Sequence, residues 1–243
     1  MDKTLNVQTV AVPPVKYGNI AYSGAPIIYV VKATKTSYIN YMKVLMLAAE
    51  LGIDHEIAVI STKDEWYQPV HPERYVPAIA DRDPATGEDF YVFESTSCLH
   101  HLADTYDTAG LWRGRTVRER AQVQNWTAYQ TAGLGATSKY WLYFSNICPD
   151  KQPKTIEKLY DNCLKQWDIL EARLSAPGQD YIALPDRPTV ADIAYFPFAM
   201  PYMFQFMGVE MARWPRLQGW AARMAARPAI QHILEFAPTI GSD

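Results

Sequence analysis

Tyr75-Val76-Pro77-Ala78-Ile79, followed along the chain by Phe93-Glu94-Ser95, constrains this sequence more than any other feature. Val-Pro-Ala-Ile reads as the entry to a strand. Glu-Ser reads as the end of the next strand and the start of a helix. A proline cannot donate to a ladder, so Pro77 belongs at a strand entry or an edge. In the cis form it bends the chain and leaves the Val76 backbone open to pair with an extended peptide, as an added strand would. Glu94 can take a peptide's ammonium group. The Ser95 hydroxyl and the N–H groups at the helix start can take its carboxylate, because a helix N-terminus attracts anions. Either half alone is an ordinary strand start or helix cap. Together, in this order, they fit a small bound peptide.

The surrounding pattern gives these motifs their places. Residues 1–25 carry Pro13-Pro14, Gly18 and Ser23-Gly24, which break any period, and read as an extended arm. Ile27-Ile28-Tyr29-Val30-Val31 is a continuous apolar run, as in a strand buried on both faces. A polar loop from Lys32 to Asn40 follows. Val44, Leu47, Ala48 and Leu51 recur at helical spacing, and Gly52 stops the helix. His55 to Ile60 reads as a second strand, and the short intervening helix implies a parallel pair with a right-handed crossover. Ala78-Ile79-Ala80 and Tyr91-Val92-Phe93 form a hairpin across Asp83-Pro84-Ala85-Thr86-Gly87, and Glu94 to Tyr106 is a helix. This βαβ–ββα order is that of an α/β thioredoxin-like domain over residues 26–107, with a linker at 108–115. Residues 116–243 read as an all-α helical bundle. Long segments run from Val117 to Phe144 and from Lys154 to Leu174, separated by Pro149 and Pro153. Thr189-Val190-Ala191-Asp192 has the capping-box pattern with Asp in the acidic position. Trp214-Pro215 and Arg227-Pro228 start further helices.

Composition narrows the classes. The 243 residues are 49% apolar with a net charge of −3, so a large core can form and nothing electrostatic invites nucleic acid. No apolar run is long enough to span a bilayer, and the first residues lead into no compact apolar segment of a signal peptide. The three cysteines, Cys98, Cys148 and Cys163, are far apart, which suits reduced thiols in a cytoplasmic protein.

The order and motifs together resemble the cytosolic glutathione S-transferases, from about Pro26 to Phe236. Pro77, Glu94-Ser95, the Thr189–Asp192 box and the tail Arg227-Pro228-Ala229-Ile230 carry the resemblance. A closer likeness is to the fungal secondary-metabolite branch, both gliotoxin-type transferases and pseurotin-type glutathione-dependent isomerases. The likeness to the gliotoxin-type transferases lies in Lys139-Tyr140-Trp141-Leu142-Tyr143-Phe144, in Pro153 to Leu159, and in Asp192-Ile193-Ala194 with Pro197-Phe198-Ala199-Met200. The resemblance implies glutathione as cofactor, a hydrophobic electrophilic small molecule as its partner in reaction, and a homodimer. It places Arg74, Val76, Pro77, Glu94 and Ser95 on glutathione, with Arg74 either reaching the glycine carboxylate or simply lying on the surface.

The thiolate is the nucleophile, so such an enzyme must lower the thiol's pKa. Donors at the start of the first helix suit that task. The loop there carries Thr34, Thr36, Ser37, Tyr38 and Asn40. By resemblance Ser37 or Asn40 faces the thiolate; by local chemistry either could merely cap the helix. The loop holds no cysteine, which argues against thiol-reduction chemistry. Lys139 and Tyr143 share one helix face, and Tyr140 and Phe144 another. In the family this helix lines the electrophile cleft, so Lys139 could stabilise an enolate and Tyr140 or Tyr143 act as an acid. Trp141 and Leu142 read as core. His71 departs from the family's usual Asn. His100 and His101 read as structural and Asp192 as a folding residue. Three functions stay open: conjugation to an electrophile, cis–trans olefin isomerisation with glutathione returned, and a non-catalytic dimerisation module.

Overall fold

A computed structural model describes residues 13–34 and 37–242. Thr36 of the candidate loop and residues 1–12 of the expected arm lie outside them. The described chain divides into two compact units, one reaching Thr108 and resuming at Ala225, the other running from Ala109 to Met224.

The first unit is built on a five-stranded mixed sheet. Its strands are β1 (Val15–Tyr17), β2 (Ile27–Val30), β3 (Glu56–Val59), β4 (Ala78–Arg82) and β5 (Asp89–Phe93), in the order β1-β3-β2-β4-β5. β1, β3 and β2 are parallel, whereas β4 and β5 run antiparallel to their neighbours. All four residues of β2 and of β3 are buried, which explains the unbroken apolar run of β2; Glu56, which opens β3, is the one charged residue in the pair. β1 corrects the sequence reading of residues 13–25 as a plain arm. Pro13 and Pro14 stand just before this edge strand, where a missing N–H costs nothing. Lys16 of β1 donates to Glu56 Oε1 at 2.7 Å, and Ser23 Oγ reaches the same oxygen at 3.1 Å. Those bonds hold the Glu56 carboxyl below its ordinary range and tie the arm to the sheet.

Helix α1 (Tyr38–Leu51) crosses from β2 to β3 and ends on Gly52 in the left-handed region, φ 63°. It is buried almost continuously from Tyr41 to Ala48. Helix α2 (Ser95–Tyr106) follows β5 and packs on α1. Tyr29, Trp66 and Tyr67 pack as tilted and T-shaped ring pairs, in one cluster with Val70, Ala78 and Val76.

The second unit is helical: α3 (Val117–Gln130), α4 (Ala136–Leu142), α5 (Pro153–Leu174), α6 (Val190–Tyr195), α7 (Pro201–Met207) and α8 (Pro215–Ala225). The expected continuous helix from Val117 to Phe144 is interrupted by two π-helical stretches, Thr131–Gly135 and Tyr143–Ile147. At Gly133 a Cβ would sit 2.5 Å from Gln166 Oε1 of α5, so glycine permits the close helix contact there. Trp141 and Leu142 are half-buried and not core; Trp141 packs on Tyr160 and Phe206.

The capping box closes as read. Thr189 N–H donates to Asp192 Oδ2 at 2.8 Å, and Thr189 Oγ1 accepts from Ala191 N–H at 3.2 Å. Asp192, fully buried, also accepts from Ile182 N–H at 2.9 Å and Trp220 Nε1 at 2.8 Å.

Helix α9 (Pro228–Phe236) departs from the expected division, which put it with the helical bundle. It packs on α1 and belongs to the first unit. Arg227 forks onto the buried Glu50 carboxylate of α1 at 2.5 and 2.7 Å. Arg227→Ala is expected to lower stability by about 2 kcal/mol, because the carboxylate loses its partner while staying buried. Urea denaturation of the variant measures it.

Candidate functional site

Among the described residues, two carry positive φ without being glycine, Arg74 (φ 55°) and Glu94 (φ 71°). Both sit in the motifs that the sequence singled out. Such backbone is uncommon for these side chains and clusters at ligand sites. At Arg74 it turns the chain into Tyr75-Val76-Pro77, whose Val76–Pro77 peptide is cis. The Tyr67 hydroxyl donates to Tyr75 O at 3.0 Å and fixes this turn. Ladder pairing of β4 begins at Ala78, opposite Tyr29 and Phe93, so Val76 lies outside the register.

At Glu94 the positive φ turns β5 into α2. The Glu94 side chain is 60% exposed, and its carboxylate lies 3.7 Å from Nε2 of His71. His71 is buried, its ring packed against Tyr75 and Phe93, and its Nδ1 accepts from Glu73 N–H at 3.1 Å. Ser95 is the first residue of α2, where the helix N–H groups are open to an anion. Lys43 of α1, 2% exposed, reaches Ser95 Oγ with Nζ at 3.4 Å. An acidic group and an anion-binding helix end thus stand on consecutive residues. That spacing matches the ammonium and carboxylate of a single amino-acid headgroup.

The Glutathione S-transferase, N-terminal domain family matches residues 40–105, and the Glutathione S-transferase, C-terminal domain family residues 153–223. "Glutathione S-transferase aclG" of Aspergillus oryzae is 55% identical over 225 residues, 90% of this chain and 99% of that protein. This chain belongs to the glutathione S-transferase family. It is also 52% identical over 207 residues to the "Trimodular acetylaranotin synthesis protein ataIMG" of Aspergillus terreus, 85% of this chain and 21% of that longer protein. Among solved structures, the glutathione transferase URE2P6 of Phanerochaete chrysosporium, in complex with oxidized glutathione, has a TM-score of 0.78 at 24% identity. The match covers 90% of this chain and 99% of that one, and shows the shared fold.

In this transferase the start of α1 is organised differently from a simple cap. Ser37 has helical φ and ψ, and its side chain caps nothing. Its Oγ donates to Lys32 O at 3.1 Å and accepts from Thr34 N–H at 2.8 Å, closing the loop on itself. Tyr38 is half-buried and Asn40 exposed, both in the first turn of α1. Asn40 stands three residues before Lys43, on the neighbouring turn of one face. Arg74 is turned to the loop before it, donating from Nη1 to Lys63 O at 3.2 Å. Lys139, Tyr140 and Tyr143 lie in the second unit along α4 and the π stretch after it. Tyr140 is 54% and Tyr143 42% exposed, large aromatic surfaces for a helix to leave uncovered.

Sequence reading missed Lys43, His71 and Tyr67 as parts of this site. A signal for Lys43 was present. A helix apolar all round is buried, so a lysine inside one is buried too. His101 does bond, with Nε2 2.8 Å from Asp81 Oδ2, and Tyr106 reaches the same oxygen at 3.2 Å. Burial pushes Asp81 up, but these bonds and the Arg82 N–H outweigh it and leave the carboxyl below its ordinary range. The pair joins β4 to α2 and lies apart from the motifs above. Cys98, Cys148 and Cys163 are free and buried, and burial pushes the Cys98 and Cys163 thiols up, so neither offers a nucleophile. Among the described residues no helix is long and apolar enough to cross a membrane.

Proposed function

We propose that this transferase adds the glutathione thiolate to a conjugated or imine-like electrophile in fungal secondary-metabolite biosynthesis. The observation that carries the site is the exposed Glu94 carboxylate beside Ser95 at the head of α2. The γ-glutamyl ammonium meets Glu94. Its carboxylate meets the Ser95 hydroxyl and the first N–H groups of α2. The cysteinyl backbone pairs with Val76, whose side chain is held in the sheet cluster by the Pro77 turn. Arg74 serves the glycine end once it releases Lys63. The setting in secondary metabolism is supported by the likeness to a protein named for acetylaranotin synthesis.

The sulfur belongs at the start of α1. The helix end favours the anion there, and the exposed Asn40 amide is the better-placed donor, since the Ser37 hydroxyl already donates to Lys32 O. Ser37 then holds the loop shape that Asn40 needs. Lys139 and Tyr140 polarise the electrophile, and Tyr38 and Tyr143 give it aromatic surface. The active species is a homodimer in the cytoplasm, which light scattering and fractionation test.

The deciding experiment is turnover with reduced glutathione and a conjugated carbonyl electrophile, read by product mass. A product heavier by one glutathione is expected. A product of unchanged mass, with glutathione undiminished, identifies a cis–trans isomerase. No binding at about 1 mM glutathione, some 4 kcal/mol of affinity, leaves a transferase-shaped dimerisation module. Asn40→Ala is expected to lower kcat/KM at least tenfold, with the pH at which the bound thiol ionises moved up. The bound thiolate's ultraviolet absorbance follows that shift directly.

A further inference from the structure

Lys43 is an unusual residue to find under a helix start. It lies within α1, in the stretch Tyr41-Met42-Lys43-Val44-Leu45, all of it buried. Its Nζ is 3.4 Å from Ser95 Oγ. An ammonium can only donate, so Ser95 Oγ must accept from it, and the serine proton is then directed elsewhere. A neutral amine has a lone pair and can take that proton back. The protonation of Lys43 therefore decides whether Ser95 offers a proton to a ligand or turns it inward.

We propose that Lys43 is a positioning residue which aims the Ser95 hydroxyl at the γ-glutamyl carboxylate, and that glutathione binding is coupled to proton uptake by its amine. This rests on the glutathione reading of Glu94 and Ser95 given above. Burial pushes the Lys43 amine down to about 7, with the Glu94 carboxylate pulling it back up. The group therefore changes charge near neutral pH. The titratable groups on the elements packed around it are few or engaged elsewhere. β2 has a single titratable side chain, Tyr29, which packs with Trp66 and Tyr67. On α2, the next ionisable group inward is the Cys98 thiol, pushed up by burial. Near α9, Arg227 is committed to Glu50, about 10 Å further along α1 by helix rise. His232 of α9 stacks on Phe236, and Glu235 is exposed. His71 acts on Glu94, not on Lys43.

The sign follows from linkage. Arrival of a carboxylate beside Ser95 favours the ammonium, so the bound state holds more protons than the free state above neutrality. The proton comes from solvent and ends on Lys43 Nζ. Well below pH 7 the amine is charged in both states and affinity is flat. As pH rises through the free-state value, the dissociation constant grows by up to about tenfold per pH unit, until the bound-state value is passed.

The test is calorimetric titration of the full chain with S-methylglutathione, whose blocked sulfur cannot ionise. Two buffers of different ionisation enthalpy at one pH give the protons exchanged. Wild type is expected to take up most of one proton per site at about pH 8 and little at about pH 6. Lys43→Met should bind at least tenfold more weakly at pH 6, with the uptake gone. Lys43→Arg keeps a fixed charge. It should bind with no uptake beyond the ligand's own, and without the loss of affinity that the amine gives wild type as pH rises. Any contribution from the ligand's own ammonium is common to all three proteins. A lysine that only fills space would lower affinity in the variants without altering the protons exchanged, and that result overturns the proposal. So does binding by wild type with no uptake, or uptake equal in wild type and Lys43→Met. No binding of S-methylglutathione at all removes the glutathione reading, and this inference with it.

Discussion

Asp192→Ala is expected to destabilise the second unit by about 3–5 kcal/mol, enough to unfold much of the protein at physiological temperature. The carboxylate has no exposed surface and receives donors from three parts of the chain. These are Thr189 at the start of α6, Ile182 in the preceding loop and Trp220 in α8. Burial pushes the carboxyl up, while the donated bonds work the other way. Removing it strands three N–H groups in an apolar interior, each costing about 1–3 kcal/mol when unpaired. Asp192→Asn is the informative companion, because an amide oxygen can accept only some of those donors. It should recover part of the loss and no more. Urea midpoints at constant slope would measure both. An alanine variant as stable as wild type would show that this hub is not what holds α6 and α8 together.

Glu94→Gln is expected to raise the dissociation constant for glutathione by about 10–100-fold while leaving the melting temperature nearly unchanged. The first half follows from losing a charge-assisted bond to the ligand ammonium, typically 1.5–3 kcal/mol. The second follows from exposure: the carboxylate meets solvent, and its internal neighbour is His71 at 3.7 Å. The positive φ at Glu94 is kept by an isosteric amide, so the strand-to-helix turn is not disturbed. Calorimetry with reduced glutathione beside differential scanning fluorimetry separates the two halves. Equal affinities would remove Glu94 from the site.

Much of the fold was readable because its signals are local. β2 is an apolar run and β3 lies in the alternating stretch from His55 to Ile60, Gly52 ends α1, and proline opens α5, α8 and α9. The capping box needs four residues and an acid in the right place, and it closes as the pattern predicts. The proline turn before β4 and the helix start at Glu94-Ser95 were legible for the same reason. What the sequence hid depends on distant partners. β1 is too short to show a period and exists because β3 offers an open edge. α9 has the pattern of any amphipathic helix, and nothing local says that α1 is its surface. The left-handed backbone at Arg74 and Glu94 falls on residues other than glycine, so no glycine announces it. Lys43 is marked only by the apolar residues around it, and its contact with Ser95 spans 52 positions of the chain.

The two π-helical stretches bracket α4 and have a consequence for how such an enzyme can change its substrate. Each wide turn holds one residue more than an α-helical turn, which rotates everything beyond it by about 100° about the helix axis. The direction in which Lys139 and Tyr140 project is thus set by the first wide turn, independently of the buried stripe of α3. Deleting a residue there would swing the aromatic surface to a new heading, while the non-helical break from Cys148 to Gln152 keeps α5 independent of that phase. Lineages could retune what they accept through such a length change, provided that α4 repacks on α5.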